Sequence, residues 1–292
     1  MMEIKQQLER LYAEQLEEWA EFNERRALMM SHEQRSLSGG GLAVAVKVRN
    51  NPARMLSTTA RVTMVRGQQD TSPRHCMLCP DNRPRQQRAV SWCGRRAMQV
   101  LVNPYPIVDR HFTIAAAVHQ PQRFDADTIA DMLTLAGQLP GYAVSYNGPR
   151  CGASIPWHLH LQAFPVDDTL LNGLSLDDEV CDGVVRRDVL PLPVKLYRGV
   201  EPALVAAEFV DATGGDETML NAVAWSDGEA APVLAVIERT HHRPANFGDG
   251  DGQMLWSPGI LDLLGIITLP REHDFTTITA EVAAAVYRYI SQ

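Results

Sequence analysis

Leu8, Leu11, Tyr12, Leu16, Trp19 and Phe22 recur three or four residues apart with Glu, Gln and Arg between them. That spacing puts one apolar stripe on a helix. A packing helix is therefore expected over residues 2 to about 32, broken by the glycines that follow Ser38. From there the apolar runs are shorter and alternate. Leu42–Val48, Arg61–Val65, Met98–Val102, Arg110–Ile114 and Tyr142–Tyr146 read as strands. Between the last two, Phe124–Leu139 has helical spacing, with Asp125 or Asp127 at its N-cap and Pro140-Gly141 as its stop. In the last third, Thr218–Trp225 and Pro232–Ile237 are strand-like, the apolar run Gly259–Leu269 is strand-like in its second half, and Ile278–Ile290 closes the chain as a helix.

This succession predicts an α+β fold with an antiparallel meander and packing helices. Three parts are expected: an N-terminal packing helix (1–37), a first half (38–190), and, beyond Pro191-Leu-Pro193, a C-terminal second half (191–292).

Composition narrows the function. Hydrophobic residues make up 45% and charged residues 21% of the 292 residues, as in an ordinary globular protein. A formal net charge of -8 argues against nucleic-acid binding, which calls for a basic face. No apolar run is long enough to span a bilayer, and the charged N-terminus has no signal-peptide core, so a cytoplasmic protein is expected. The cysteine count is odd, five, and Cys76-Met-Leu-Cys79 stands out. In a reducing compartment this spacing ranks as half a tetrahedral zinc site first, a redox pair second and unrelated core cysteines third. Pro80 and Pro84 oppose the helix that a thioredoxin-type pair would open.

The most informative stretch is Cys151 to Phe164. Read as a strand, it places His158, His160 and Gln162 on one face and Leu159, Leu161 and Ala163 on the other. Just upstream, Asn147-Gly148 and Gly152-Ala153-Ser154 supply small residues whose backbone can approach a phosphate. An imidazole beside such a loop suggests nucleophilic chemistry at phosphorus. Gln162 offers an amide donor and no titrating proton, which suits a good leaving group. Arg83 and Arg243, each in a basic cluster, are the candidate phosphate cations.

Gly152-Ala-Ser154 followed by His158-x-His160-x-Gln162 resembles the histidine-triad-like nucleotidyltransferases, a group that includes galactose-1-phosphate uridylyltransferases, diadenosine tetraphosphate phosphorylases and GDP-hexose phosphorylases. The resemblance implies a histidine-triad-like sheet, repeated in degenerate form in the last third. It implies a structural zinc ion held by Cys76, Cys79, His111 and His158. It also implies a covalent nucleotidyl intermediate on His160, with Gln162 at the phosphate, and Asn147, Gly152 and Ser154 holding phosphate or ribose. The substrate expected is a nucleotide or nucleotide sugar, and a homodimer is the expected assembly. Two other classes use the same residues: a non-catalytic nucleotide or sugar-phosphate binder, and a zinc-dependent phosphoanhydride hydrolase, which would need an open metal position.

Overall fold

The computed structural model describes residues 3–55, 72–172, 174, 183–210, 217–226 and 231–291. The strand expected at Arg61–Val65 lies outside the described residues. Among the described residues, no helix is long and apolar enough to cross a membrane.

The N-terminal stripe forms two helices, Ile4–Glu18 and Ala20–Ser31, where the periodicity alone predicts one. The chain leaves the helical region at Trp19 (φ −121, ψ 89). The gain is in packing. In an unbroken helix Tyr12 and Phe22 would lie about 15 Å apart along the axis, yet their rings meet edge to face with centroids 5.8 Å apart. The break folds the second helix back so that both halves bury apolar side chains, including Trp19 itself.

Among the described residues, twelve strands follow. Strands β1 (Gln34–Leu37) and β2 (Val46–Asn50) pair antiparallel. A large sheet is built from β3 (Val90–Cys93), β4 (Ala97–Val102), β5 (Phe112–Ala116), β6 (Tyr142–Asn147), β7 (His160–Pro165), β8 (Val184–Arg186), β9 (Val194–Arg198), β10 (Leu220–Trp225) and β11 (Val233–Glu238). The last strand, β12 (Ile266–Leu269), lies parallel to β2. The large sheet runs β3-β4-β5-β7-β6-β10-β11-β9-β8, with its neighbours antiparallel. The C-terminal strands thus continue the first half's sheet through the β6–β10 pairing.

Alternation decides which face each side chain joins. Leu161 and Ala163 on β7, Val144 and Tyr146 on β6, and Ala222 and Ala224 on β10 belong to one core, which is closed by the N-terminal helices and by the helix Ala126–Gln138. That helix is capped by Asp125, whose side chain accepts from Thr128 N at 2.9 Å. On the opposite face Phe164, Val223, Trp225, Ala235 and Ile237 meet Trp256, Leu263 and Tyr287 of the last third. The apolar run before β12 splits at Gly265, whose φ of +89° breaks the short helix Ile260–Leu263 from the strand. This second core does not extend over β4, β5 and the start of β7, and the site lies there.

Candidate active site and metal centre

Cys76, Cys79, His119 and His158 bring one ligand atom each to within 4.8 Å of one another. His158 Nδ1 lies 3.2 Å from Cys76 Sγ and 3.6 Å from Cys79 Sγ, and His119 Nδ1 lies 3.2 Å from Cys79 Sγ. Tetrahedral zinc with ordinary Zn–S and Zn–N bonds sets such sulfur–nitrogen edges at about 3.5 Å. His158 Nε2 is 2.8 Å from Ala116 O. That carbonyl can only accept, so Nε2 carries the proton and the Nδ1 lone pair points at the sulfurs, the outer-shell arrangement of a metal-bound histidine. The donor set therefore fits a metal ion held by protein ligands alone, a structural rather than a catalytic centre.

The turn that presents the cysteines is tied down separately. Cys79 N donates to Cys76 O at 3.1 Å. Asn82 Nδ2 donates to Pro73 O and Cys76 O at 2.7 and 2.9 Å. Arg83 Nε donates to Leu78 O at 3.0 Å, and its Nη1 to Gln99 Oε1 at 2.5 Å. Arg83, expected at the substrate phosphate, is thus committed to holding the cysteine loop. Gln15, fully buried in the first helix, accepts from Arg88 N at 3.0 Å and donates to Gln86 O at 2.9 Å, fastening the segment that follows.

His111 is not a member of the metal cluster; His119 takes its place. The reason is strand register. Strand β5 runs antiparallel to β7 with Ala115 opposite His160. Extending that register sets Ala117 opposite His158 and His111 opposite Phe164, so the metal end of β7 meets the end of β5, not its beginning. The His111 ring indeed packs against Phe164 with centroids 5.9 Å apart. Its Nδ1 accepts from Ile107 N at 3.3 Å and its Nε2 lies 3.1 Å from Gln162 Oε1. Burial pushes its pKa down to about 4, against the hydrogen bond to Gln162 and with help from Arg54.

His160 opens β7 and is 4% exposed. Its Nδ1 lies 2.8 Å from His158 O, so Nδ1 is the protonated nitrogen and Nε2 keeps its lone pair. Burial holds this ring below the usual imidazole range. Gln122, a residue without any sequence signal, clamps the backbone here. Its Oε1 accepts from His160 N at 2.8 Å, and its Nε2 donates to His160 O at 2.9 Å and to Asn147 O at 3.0 Å. Pairing between β6 and β7 begins only at Ser145 opposite Gln162, so the Gln122 amide replaces the ladder where the two strands part.

A cavity of about 450 Å³ lies over this end of the sheet, floored by Leu101, Thr113, His160 and Gln162, with Ser154 at its side. Trp19, Arg25, Arg54 and Tyr105 also line it, and the Arg25 guanidinium stands 4.6 Å over the Tyr105 ring. Aromatic surface and two guanidinium groups therefore come from segments that carry no motif.

Three expected substrate residues sit elsewhere. Asn147 Oδ1 accepts from Asn221 Nδ2 at 2.7 Å and from Ile260 N at 2.9 Å, joining the first half to the last third. Gly152 has φ +117°, and a Cβ there would come within 3.2 Å of Asn147 Oδ1 and 3.3 Å of Gly259 Cα, so glycine is required by this seam. Arg243 donates to Ser257 Oγ at 3.1 Å and covers the Phe247 ring at 4.1 Å, outside the cavity lining.

Residues 11–165, just over half of the chain, match the family described as "Domain of unknown function (DUF4922)". The chain belongs to that family. The matched span ends with β7, so all six of Cys76, Cys79, His119, His158, His160 and Gln162 fall within the DUF4922 region and Arg243 does not. No curated protein matches the chain. Among solved structures, yeast Ap4A phosphorylase Apa2 aligns with a TM-score of 0.60 over 96% of this chain and 97% of its own, at 12% identity. The same yeast enzyme in complex with AMP gives 0.57 over 94% and 91% at 15% identity, and in complex with Ap4A 0.58 over 93% and 93% at 13%. At such identities the likeness is one of fold: this DUF4922 chain has the histidine-triad-like α+β fold anticipated from its motif.

Proposed function

We propose that this DUF4922 protein is a nucleotidyltransferase or phosphorylase that acts on a dinucleoside polyphosphate or a nucleoside diphosphate sugar. The observation that carries the proposal is the state of His160: Nδ1 anchored on a backbone carbonyl, Nε2 with a lone pair, and the ring on the floor of a cavity beside Gln162 and Ser154. The yeast neighbour of the same fold has been captured with AMP and with Ap4A, which supports a nucleotide as the ligand.

His160 Nε2 attacks the α-phosphorus and forms a P–N bond as the bond to the leaving phosphate oxygen breaks. An incoming phosphate oxygen then attacks the same phosphorus, the P–N bond breaks and His160 is restored. Splitting the transfer in this way replaces one hard displacement by two easier ones. Gln162 and Ser154 donate hydrogen bonds to the nonbridging oxygens, where charge grows. Arg25 and Arg54 supply the positive charge first sought at Arg83 and Arg243. We assign the metal as zinc, held by Cys76, Cys79, His119 and His158. Bound there, it would tie His158, two residues before the nucleophile, to the cysteine loop, and such aim matters because small misplacements are costly in rate. Residues 191–292 act as the second, degenerate half, which continues the sheet and packs against Asn147 and Gly152.

The test is product chemistry. With Ap4A and inorganic phosphate, the protein should release ATP and ADP, and His160→Ala should lose at least ~1000-fold in rate while retaining its fold. Equal turnover in His160→Ala, or no turnover by the wild type across a panel of dinucleoside polyphosphates and nucleotide sugars, overturns the assignment.

A further inference from the structure

The chemistry above leaves one buried imidazole without a task. His111 is 1% exposed and sits between the backbone of its own loop and the Gln162 side chain. Each contact has a forced direction. Ile107 N–H can only donate, so His111 Nδ1 must be the unprotonated nitrogen. His111 Nε2 then carries the hydrogen, and the Gln162 atom 3.1 Å away must be the carbonyl oxygen. The Gln162 amide is consequently fixed with its NH₂ group on the other side. Among the described residues, neither hydrogen of that group meets a protein acceptor, and Gln162 lines the cavity.

The segment that orients His111 is itself closed. Asn103 N donates to His111 O at 2.8 Å, and Arg49 Nη1 donates to Ile107 O at 3.1 Å. Arg110, at φ +50°, makes the turn into the ring from the left-handed region, which few non-glycine residues adopt. Ile107 and Val108 are both buried. The donor that sets the tautomer is thus held on three sides before any ligand arrives.

We propose that His111 is a positioning residue: it locks the Gln162 carboxamide so that this side chain turns only its NH₂ donors to the cavity, and thereby favours an anionic phosphate oxygen, which can only accept, over a group that can only donate. An unlocked glutamine can turn its carbonyl to the ligand as readily as its NH₂, and an inward carbonyl repels phosphate. The low proton affinity of His111 is consistent with this, because a doubly protonated ring would lose the bond from Ile107. The proposal rests on the cavity being the nucleotide site, and its test separates the two.

The first measurement is the tautomer of His111 in the metal-loaded wild type, read from the nitrogen shifts of ¹⁵N-histidine-labelled protein. The Nε2–H form is expected, and an Nδ1–H form overturns the lock. It needs no turnover, so a wild type that transfers no nucleotide sinks the nucleotidyl reading and leaves this result standing on its own. The second is a cycle of His111→Ala, Gln162→Ala and the double variant, with kcat and KM for Ap4A phosphorolysis and a melting curve for each. His111→Ala should lower kcat/KM roughly tenfold in the wild-type background and hardly at all once Gln162 is gone, since the two act as one unit. The same loss in both backgrounds shows that His111 serves the fold alone and overturns the proposal. A variant too unstable to assay leaves the decision to the tautomer.

Discussion

One row of side chains crosses the large sheet from β4 to β9 on a single face: Leu101, Thr113, Gln162, Ser145, Val223, Ala235 and Leu196, each paired with the next. Its two ends are treated differently. Val223, Ala235 and Leu196 are buried under the last third in a continuous apolar core with Trp256 and Tyr287. Leu101, Thr113 and Gln162 floor a cavity. Ser145, fully buried and with no hydrogen-bond partner for its hydroxyl among the described residues, marks the border. Packing therefore holds the C-terminal half of the sheet. The N-terminal half gives up that packing on one face and has in its place the Cys76, Cys79, His119 and His158 cluster, which fits a metal ion, and directed hydrogen bonds. A cavity floor built this way is polar, aimed and dependent on a few specific atoms.

The comparison can be broken at the clamp first. Stripping the metal with a chelator should cost on the order of 10 kcal/mol and lower Tm by upwards of ~20 °C. His119→Ala should lose the bound metal, while His111→Ala keeps it, as metal analysis of the purified variants will show. Metal lost from both, or from neither, contradicts the ligand set.

On the packed half, Trp225→Ala removes a large buried ring and should cost about 3–5 kcal/mol in denaturant unfolding. It should leave metal content unchanged. A loss of metal in this variant would mean that the two halves are not held independently.

The smallest effect is a pH dependence. His111 has a folded pKa of about 4 against an ordinary value of 6.5, chiefly through burial. The folded state therefore binds fewer protons. Its contribution to stability is complete above pH 6.5 and is lost as pH falls toward 4. At pH 5.5 the loss amounts to about 1 kcal/mol. The melting difference between wild type and His111→Ala should shrink from pH 7 to pH 5.5; a constant or growing difference would contradict it.

Much of the site's floor was legible in the residues. Alternation in His160-Leu-Gln-Ala-Phe164 already separates a polar face from a core face, and the Cys-x-x-Cys spacing already suggests a clamp. The helix Ala126–Gln138 and its Asp125 cap follow from spacing and a proline-glycine stop. The place of His119 in the cysteine cluster did not follow, because which end of β5 meets His158 is a matter of pairing register, and no residue pattern encodes that. Gln122 escaped for a related reason: it substitutes for a missing ladder bond, and the gap exists only once β6 and β7 are paired. The break at Trp19 is invisible to a periodicity that continues unbroken on both sides of it. Strand β1, Gln34–Leu37, has only Leu37 buried and so shows no alternation to read. Arg83 and Arg243 resemble any arginine in a basic cluster, and their hydrogen bonds to Leu78 O and Ser257 Oγ exist only in the folded chain.

The central claim is that one imidazole carries the nucleotidyl group. The most direct measurement is a single-turnover reaction of the metal-loaded protein with Ap4A labelled at its α-phosphates, quenched in alkali, where a phosphoramidate survives, and mapped by peptide mass spectrometry. Stoichiometric label on the peptide containing His160, acid-labile and absent from a folded His160→Ala variant, is the predicted result. Label on another residue, or release of ATP without any labelled protein, would contradict it.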